Sequence, residues 1–179
     1  MSSQNLLKKP SDGGMDDNGI TTYKWKVSLF GCLDTLVPNS TSMQYLPTTS
    51  PYLSLALMTV IFPCVSVAQI AARVGFVNYL TALIVTFVAY ILFLVAIGVH
   101  TTALDVIAAL VGIVSFGYLW YMRTKVRFLF HIPGSIVEDG CVVLFCGWCS
   151  IAQIATHVES YTPNACAFDA KATLPGYIV

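Results

Sequence analysis

The sequence predicts an all-α membrane protein: a transmembrane helical hairpin flanked by two pseudo-repeat helices that are amphipathic or partly inserted. Three observations carry this expectation. Of the 179 residues, 56% are hydrophobic and 10% charged, against about 25% charged in an ordinary soluble domain. Two apolar segments, each about the 20 residues needed to cross roughly 30 Å of hydrocarbon, are joined only by His100-Thr101-Thr102. A nine-residue motif recurs on either side of that pair. Lysine plus arginine equals aspartate plus glutamate, so no global basic field exists to attract nucleic acid. The lipid bilayer is the expected partner.

Residues 1–22 are rich in Ser, Asp, Gly and Asn and are expected to form a disordered tail. No apolar core follows a basic start there, so no cleavable secretory signal is expected. A cysteine-rich membrane domain is expected over 23–159, with a C-terminal tail over 160–179. Residues 23–50 hold Lys24, Trp25, Lys26 and Cys32, a composition suited to the membrane interface. Asn39-Ser40-Thr41 matches a glycosylation acceptor, relevant only if that segment faces outside.

Four helices follow. The first is expected over 51–74, interrupted by Pro63, Ser66, Gln69 and Arg73. The second, 78–99, is nearly pure apolar, and the third, 103–122, begins where Thr101 or Thr102 can cap it. Arg123, Lys125 and Arg127 end the third helix, and Pro133-Gly134 breaks the chain. The fourth is expected over 138–159. If only the second and third span, Lys8, Lys9, Lys24, Lys26, Arg73 and the 123–127 cluster all fall on one side. The positive-inside rule then makes that side, and both termini, cytoplasmic. Four spans would put the cluster outside, so two are preferred.

The repeat sets Ser66-Val67-Ala68-Gln69-Ile70-Ala71-Ala72-Arg73-Val74 beside Ser150-Ile151-Ala152-Gln153-Ile154-Ala155-Thr156-His157-Val158, identical at six of nine positions. Repeats of this kind recur in transport proteins; chance convergence on small apolar residues is the alternative. Gln69 and Arg73, like Gln153 and His157, are four apart and share a helix face. The two glutamines are read as structural glue, exchanging amide hydrogen bonds across the repeat, and secondarily as ion-path ligands.

Six cysteines are present, Cys32, Cys64, Cys141, Cys146, Cys149 and Cys166, and are expected to be mostly reduced. Cys146 and Cys149 stand at i, i+3, where two thiolates could share a soft ion such as Zn²⁺ or Cd²⁺. Cys64 or Cys141 would have to complete such a site through the fold. Packing as small hydrophobes and palmitoylation are the other readings. Asp105 is either a helix-start carboxylate or part of a cation-attracting pore mouth, with His100 as a pH-sensitive neighbour. Glu138, Asp139 and Glu159 bracket the fourth helix as solvated ends, or as a vestibule in an oligomer. Arg123, Lys125 and Arg127 are expected to anchor lipid headgroups. Ala108, Gly112 and Ser115 form a small-residue stripe that permits close helix approach. No nucleophile–base set, phosphate loop or His-Glu metal motif is visible, so an enzyme is not expected.

From Trp25 to Glu159 the chain also resembles the cysteine-rich placenta-specific gene eight family, which includes plant cadmium-resistance and fruit-weight, or cell-number-regulator, proteins. The likeness rests on Trp25 with Leu29-Phe30-Gly31-Cys32, on Phe62-Pro63-Cys64 with Gln69, on Arg123-Thr124-Lys125-Val126-Arg127 with Asp139, and on Cys146-Gly147-Trp148-Cys149 with Gln153. Phe62 stands where the family has the first Cys of its Cys-Pro-Cys motif, and Ile154 where it has Glu. The resemblance implies a plasma-membrane protein, often homo-oligomeric. Some plant relatives export or redistribute zinc and cadmium, some members are linked to calcium entry, and others restrain cell number. The leading expectation is a homo-oligomer that conducts or exports divalent cations (Zn²⁺, Cd²⁺ or Ca²⁺). The rival is a non-transporting membrane adaptor regulating growth or signalling, with protein partners bound through the tails.

Overall fold

The computed structural model describes residues 14–16, 18–29, 58–99, 101–161 and 167–175. Among these the chain is helical, without a strand; one isolated antiparallel bridge joins Met15 and Thr21. The helices are α1 (Pro63–Val74), α2 (Tyr79–Gly98), α3 (Thr102–Leu129), α4 (Ile136–Phe145) and α5 (Gly147–His157).

Pro63 occupies the first turn of α1, where its missing N–H costs no hydrogen bond. A helical turn over 58–61 precedes it, and the earlier part of the expected first helix, 51–57, lies outside the described residues. Gly75 ends α1 at φ +82°, a left-handed cap that glycine adopts without a Cβ penalty. The chain reverses and α2 runs back along α1. Thr86 Oγ donates to the Cys64 carbonyl at 3.1 Å, and Tyr90 OH donates to that of Ile61 at 3.2 Å.

The apolar pair reads inside out, as a lipid-facing hairpin must. Only Ala82 and Ala96 are buried in α2, and no residue of α3 before Met122 is buried. Both helices are long and apolar enough to cross a membrane. Thr101 caps α3, its side chain accepting from the Leu104 N–H.

Helix α3 runs to Leu129, past the expected end at 122. Arg123, Thr124 and Arg127 continue the helix because a partner waits for them on α4. The helix stops where His131 takes a positive φ of 54°. The fourth helix also differs from its expectation. It begins at Ile136 under a full capping box between Ser135 and Glu138. It then breaks at Cys146, and α4 and α5 meet at 118°. Cys146 leaves the helical region (φ −147°, ψ 73°).

The core sits at the end of the hairpin formed by the start of α2 and the end of α3, and the repeat builds it. Residues 66–72 and Val74 of the first copy are buried, as are all nine of the second. Their alanines let α1 and α5 lie close together. Met122, Val126 and Phe130 close the core from α3. Described parts of both expected tails belong to it as well, because each brings an apolar residue and backbone partners. Ile20 is buried, and just beyond that tail the Tyr23 N–H donates to the Phe130 carbonyl. Leu174 is buried, with its N–H on the Arg73 carbonyl.

Candidate functional site: a buried arginine–aspartate cluster

Arg123 and Arg127 are one helical turn apart on α3 and face the same way. They are 4% and 5% exposed, and Asp139 between them is 3% exposed. Arg123 Nε donates to Asp139 Oδ1 at 3.2 Å and Arg127 Nε to Oδ2 at 2.7 Å. Thr124 Oγ1 adds a bond to Oδ2 at 3.2 Å. The guanidinium of Arg123 continues to Gln153 Oε1 at 2.7 Å and to Ser150 Oγ at 3.2 Å. The Trp25 ring covers it, 4.6 Å from ring centroid to guanidinium carbon. Arg127 reaches the Gly134 carbonyl at 2.9 Å. Two guanidiniums, one carboxylate and several neutral dipoles thus satisfy one another inside the protein, the condition for keeping such charges buried.

This overturns the headgroup-anchoring expectation for Arg123 and Arg127. Both guanidiniums are buried and turned to Asp139, out of reach of a headgroup. Lys125 is half-buried, its ammonium 5.5 Å from the Tyr121 ring. Asp139 is not a solvated helix end but the hub of the cluster. Glu138 stays exposed and caps α4. The glutamines do not bond each other. Gln69 donates to the carbonyls of Ala167 and Asp169 at 2.8 and 3.0 Å. Gln153 accepts from Arg123 and donates to the Val27 carbonyl at 2.9 Å. Each repeat copy thus uses its glutamine to pin a different non-helical segment.

Two of the four described cysteines depart from the mostly reduced state expected. Cys146 and Cys149 form a disulfide across the break between α4 and α5. The break brings their Cα atoms to 5.3 Å, within bridging range. A sulfur held in a disulfide offers no thiolate to a metal. Cys64 is buried and Cys141 exposed, both as free thiols; Cys32, Cys166, His100 and the Asn39-Ser40-Thr41 motif lie outside the described residues. Among the described residues, no three His, Cys, Asp or Glu side chains gather as a metal site would require. Asp105 is exposed in the first turn of α3.

His157 escaped the sequence reading as a site. It is fully buried at the end of α5, edge-on to Trp25 and Phe130. Its Nδ1 accepts the Lys26 N–H at 3.2 Å, while Nε2 is buried without a partner among the described residues. Burial pushes its pKa down to about 4, with the Lys26 charge adding to the effect and Asp16 opposing it. Lys26 pairs through its ammonium with Glu159, and that hydrogen bond is the main cause holding the Glu159 carboxyl below its usual range. The i, i+4 spacing of Arg123 and Arg127 was a signal for the cluster. Nothing local pointed to Trp25 or Ser150 as its neighbours, since those contacts are far apart in sequence.

Comparison with known proteins agrees with this arrangement of motifs. Two curated frog proteins, the cornifelin homolog of Xenopus tropicalis and cornifelin homolog A of Xenopus laevis, are each 38% identical to this chain over 45 residues. Those matches cover 25% of this chain and 40% of each relative. No solved structure matches the chain significantly. Residues 25–157 match the PLAC8 family, a stretch that begins at the Trp25 lid and ends at His157. The chain therefore belongs to the PLAC8 family.

Proposed function

We propose that this protein is a non-transporting membrane adaptor, anchored in the plasma membrane by α2 and α3 with both termini cytoplasmic, that regulates growth or signalling. One observation carries this choice: among the described residues, the most buried polar groups that a cation path would use are already satisfied within the protein, and Asp105 and Glu138 stay apart from them at exposed helix starts. Asp139 is held by two arginines, Gln153 by Arg123 and the Val27 carbonyl, and Gln69 by the Ala167 and Asp169 carbonyls. The result is a rigid domain on a membrane hairpin, from which the tails would engage protein partners.

The rival reading, a homo-oligomer conducting Zn²⁺, Cd²⁺ or Ca²⁺, draws on the hairpin. Asp105 is exposed near one end, and a Cβ at Gly112 or Gly117 would meet nothing within 4 Å. Their open faces leave room for a second copy to approach closely.

The purified protein in liposomes separates the two. The adaptor predicts no Zn²⁺, Cd²⁺ or Ca²⁺ flux from correctly inserted protein, and loss of a bound partner when a tail is deleted. Flux that falls in Asp105→Asn or Cys146→Ser, with assembly intact, would sink the adaptor and establish transport.

A further inference from the structure

Helix α4 has one face spent and one face open. The spent face carries Asp139, Gly140 and Val143, all buried. Gly140 sits so close to Trp120 that a Cβ there would lie 2.9 Å from the indole, and Trp120 Nε1 donates to the Ile136 carbonyl at 2.8 Å. The open face carries Val137, Cys141, Leu144 and Phe145 at helical spacing. Trp148 continues it beyond the break. Phe145 is 86% exposed and Val137 71%. An apolar face this continuous, unmatched by any packing partner among the described residues, calls for a specific cover.

We propose that the α4–α5 elbow is a third membrane contact, lying in the headgroup–acyl boundary with this face toward lipid while α5 turns back into the protein. The occupant is the bilayer because the face continues a lipid-facing surface. Its underside rests on Trp120, which packs at 5.8 Å on Phe116 of the spanning helix. Trp120 and Tyr121 mark where α3 leaves hydrocarbon, as interfacial aromatics do. Partial insertion also fits the bend. At 118° the pair does not form a straight span, and α5 has all of Cys149 to His157 buried in protein, leaving no face for lipid. The disulfide between Cys146 and Cys149 holds the turn at the tip of the inserted face. A helix with a broad apolar face, Asp139 turned inward and the exposed Glu138 confined to its first turn lies in the interface rather than crossing it. The inference does not depend on whether the protein conducts ions.

Trp148 reports the answer. The full chain, and its Trp148→Phe variant, would be placed in phosphatidylcholine vesicles containing lipids brominated near either the headgroup end or the methyl end of the chains. The difference between the two proteins isolates the Trp148 emission. The expected result is loss of most of that emission with headgroup-end bromines, weaker quenching by methyl-end bromines, and protection from aqueous iodide. Strongest quenching by methyl-end bromines would overturn the interfacial placement in favour of a broken span. Quenching by iodide alone would mean that the face meets water. Protection from iodide and both bromolipids would mean that protein covers it, as in a second copy packed on the elbow. Each of these last two results also rejects the proposal.

Discussion

At the scale of single residues, the fold turns on Asp139. Its removal strands two buried guanidiniums, so Asp139→Ala is expected to cost about 3–5 kcal/mol. Chemical unfolding in detergent, with helix content as the readout, measures this; a loss below about 1 kcal/mol would mean the ion pairs are replaceable by water. His157 sets a pH dependence. Its folded pKa is depressed from 6.5 to about 4. Between those values the unfolded chain binds the proton and the folded chain does not, so stability falls as pH falls through that window. The full loss approaches about 3 kcal/mol and levels off below the folded pKa. A His157→Asn variant should flatten this part of the pH–stability curve; an unchanged slope would assign it to other groups. Gly140 matters for space alone. Gly140→Ala drives a methyl into Trp120, and overpacking of this kind costs about 1–3 kcal/mol. Trp120→Leu in the same chain should recover part of it, a coupling readable from a double-mutant cycle.

At the scale of elements, the helices divide by what stabilises them. Helices α2 and α3 are set by length and apolarity in lipid, and few of their side chains before Met122 are buried in the protein. Helix α4 has only ten residues, too short to persist alone. It depends on the Ser135–Glu138 capping box and on the Arg–Asp cluster. Ser135→Ala should therefore lower stability by about 0.5–2 kcal/mol. Thermal denaturation would show this, with no change in the insertion of the hairpin. If the hairpin instead failed to insert, α4 would have a role in membrane integration that capping does not explain. The repeat likewise works as an element. Its shared alanines make the α1–α5 contact, while its differing positions carry the individual roles: Arg73 reaches the Val158 carbonyl, whereas His157 holds the N-terminal segment at Lys26.

At the scale of the whole molecule, the described segments nearest the two termini meet. The Asn18 side chain donates to the Pro175 carbonyl at 3.0 Å, and Lys26 pairs with Glu159. Both segments pack at the end of the hairpin where α3 stops, so they must share one side of the membrane. Protease added to sealed vesicles of one orientation should cut both segments or neither. Cleavage of one end alone, with the other cut only after the vesicles are permeabilised, would require an odd number of spans, making the bent α4–α5 pair a crossing.

The sequence by itself determined the membrane class, the α2–α3 hairpin, a threonine cap at 101 or 102, the repeat and the family motifs. Each is written in local runs: apolar length, cap chemistry and short spacings need no distant partner to be read. Tertiary structure decided the rest. The 138–159 segment is continuous in its helical pattern, yet it breaks at Cys146, where the chain must turn α5 into the core. Arg123 and Arg127 look like interfacial anchors until Asp139, Gln153 and Trp25 arrive from three other parts of the chain. Gln69 and Gln153 look like partners by symmetry, but each is claimed by a nearer backbone carbonyl. A charged or amide side chain is satisfied by whatever polar group the fold brings within about 3 Å. That choice is made by long-range packing, which local pattern does not encode.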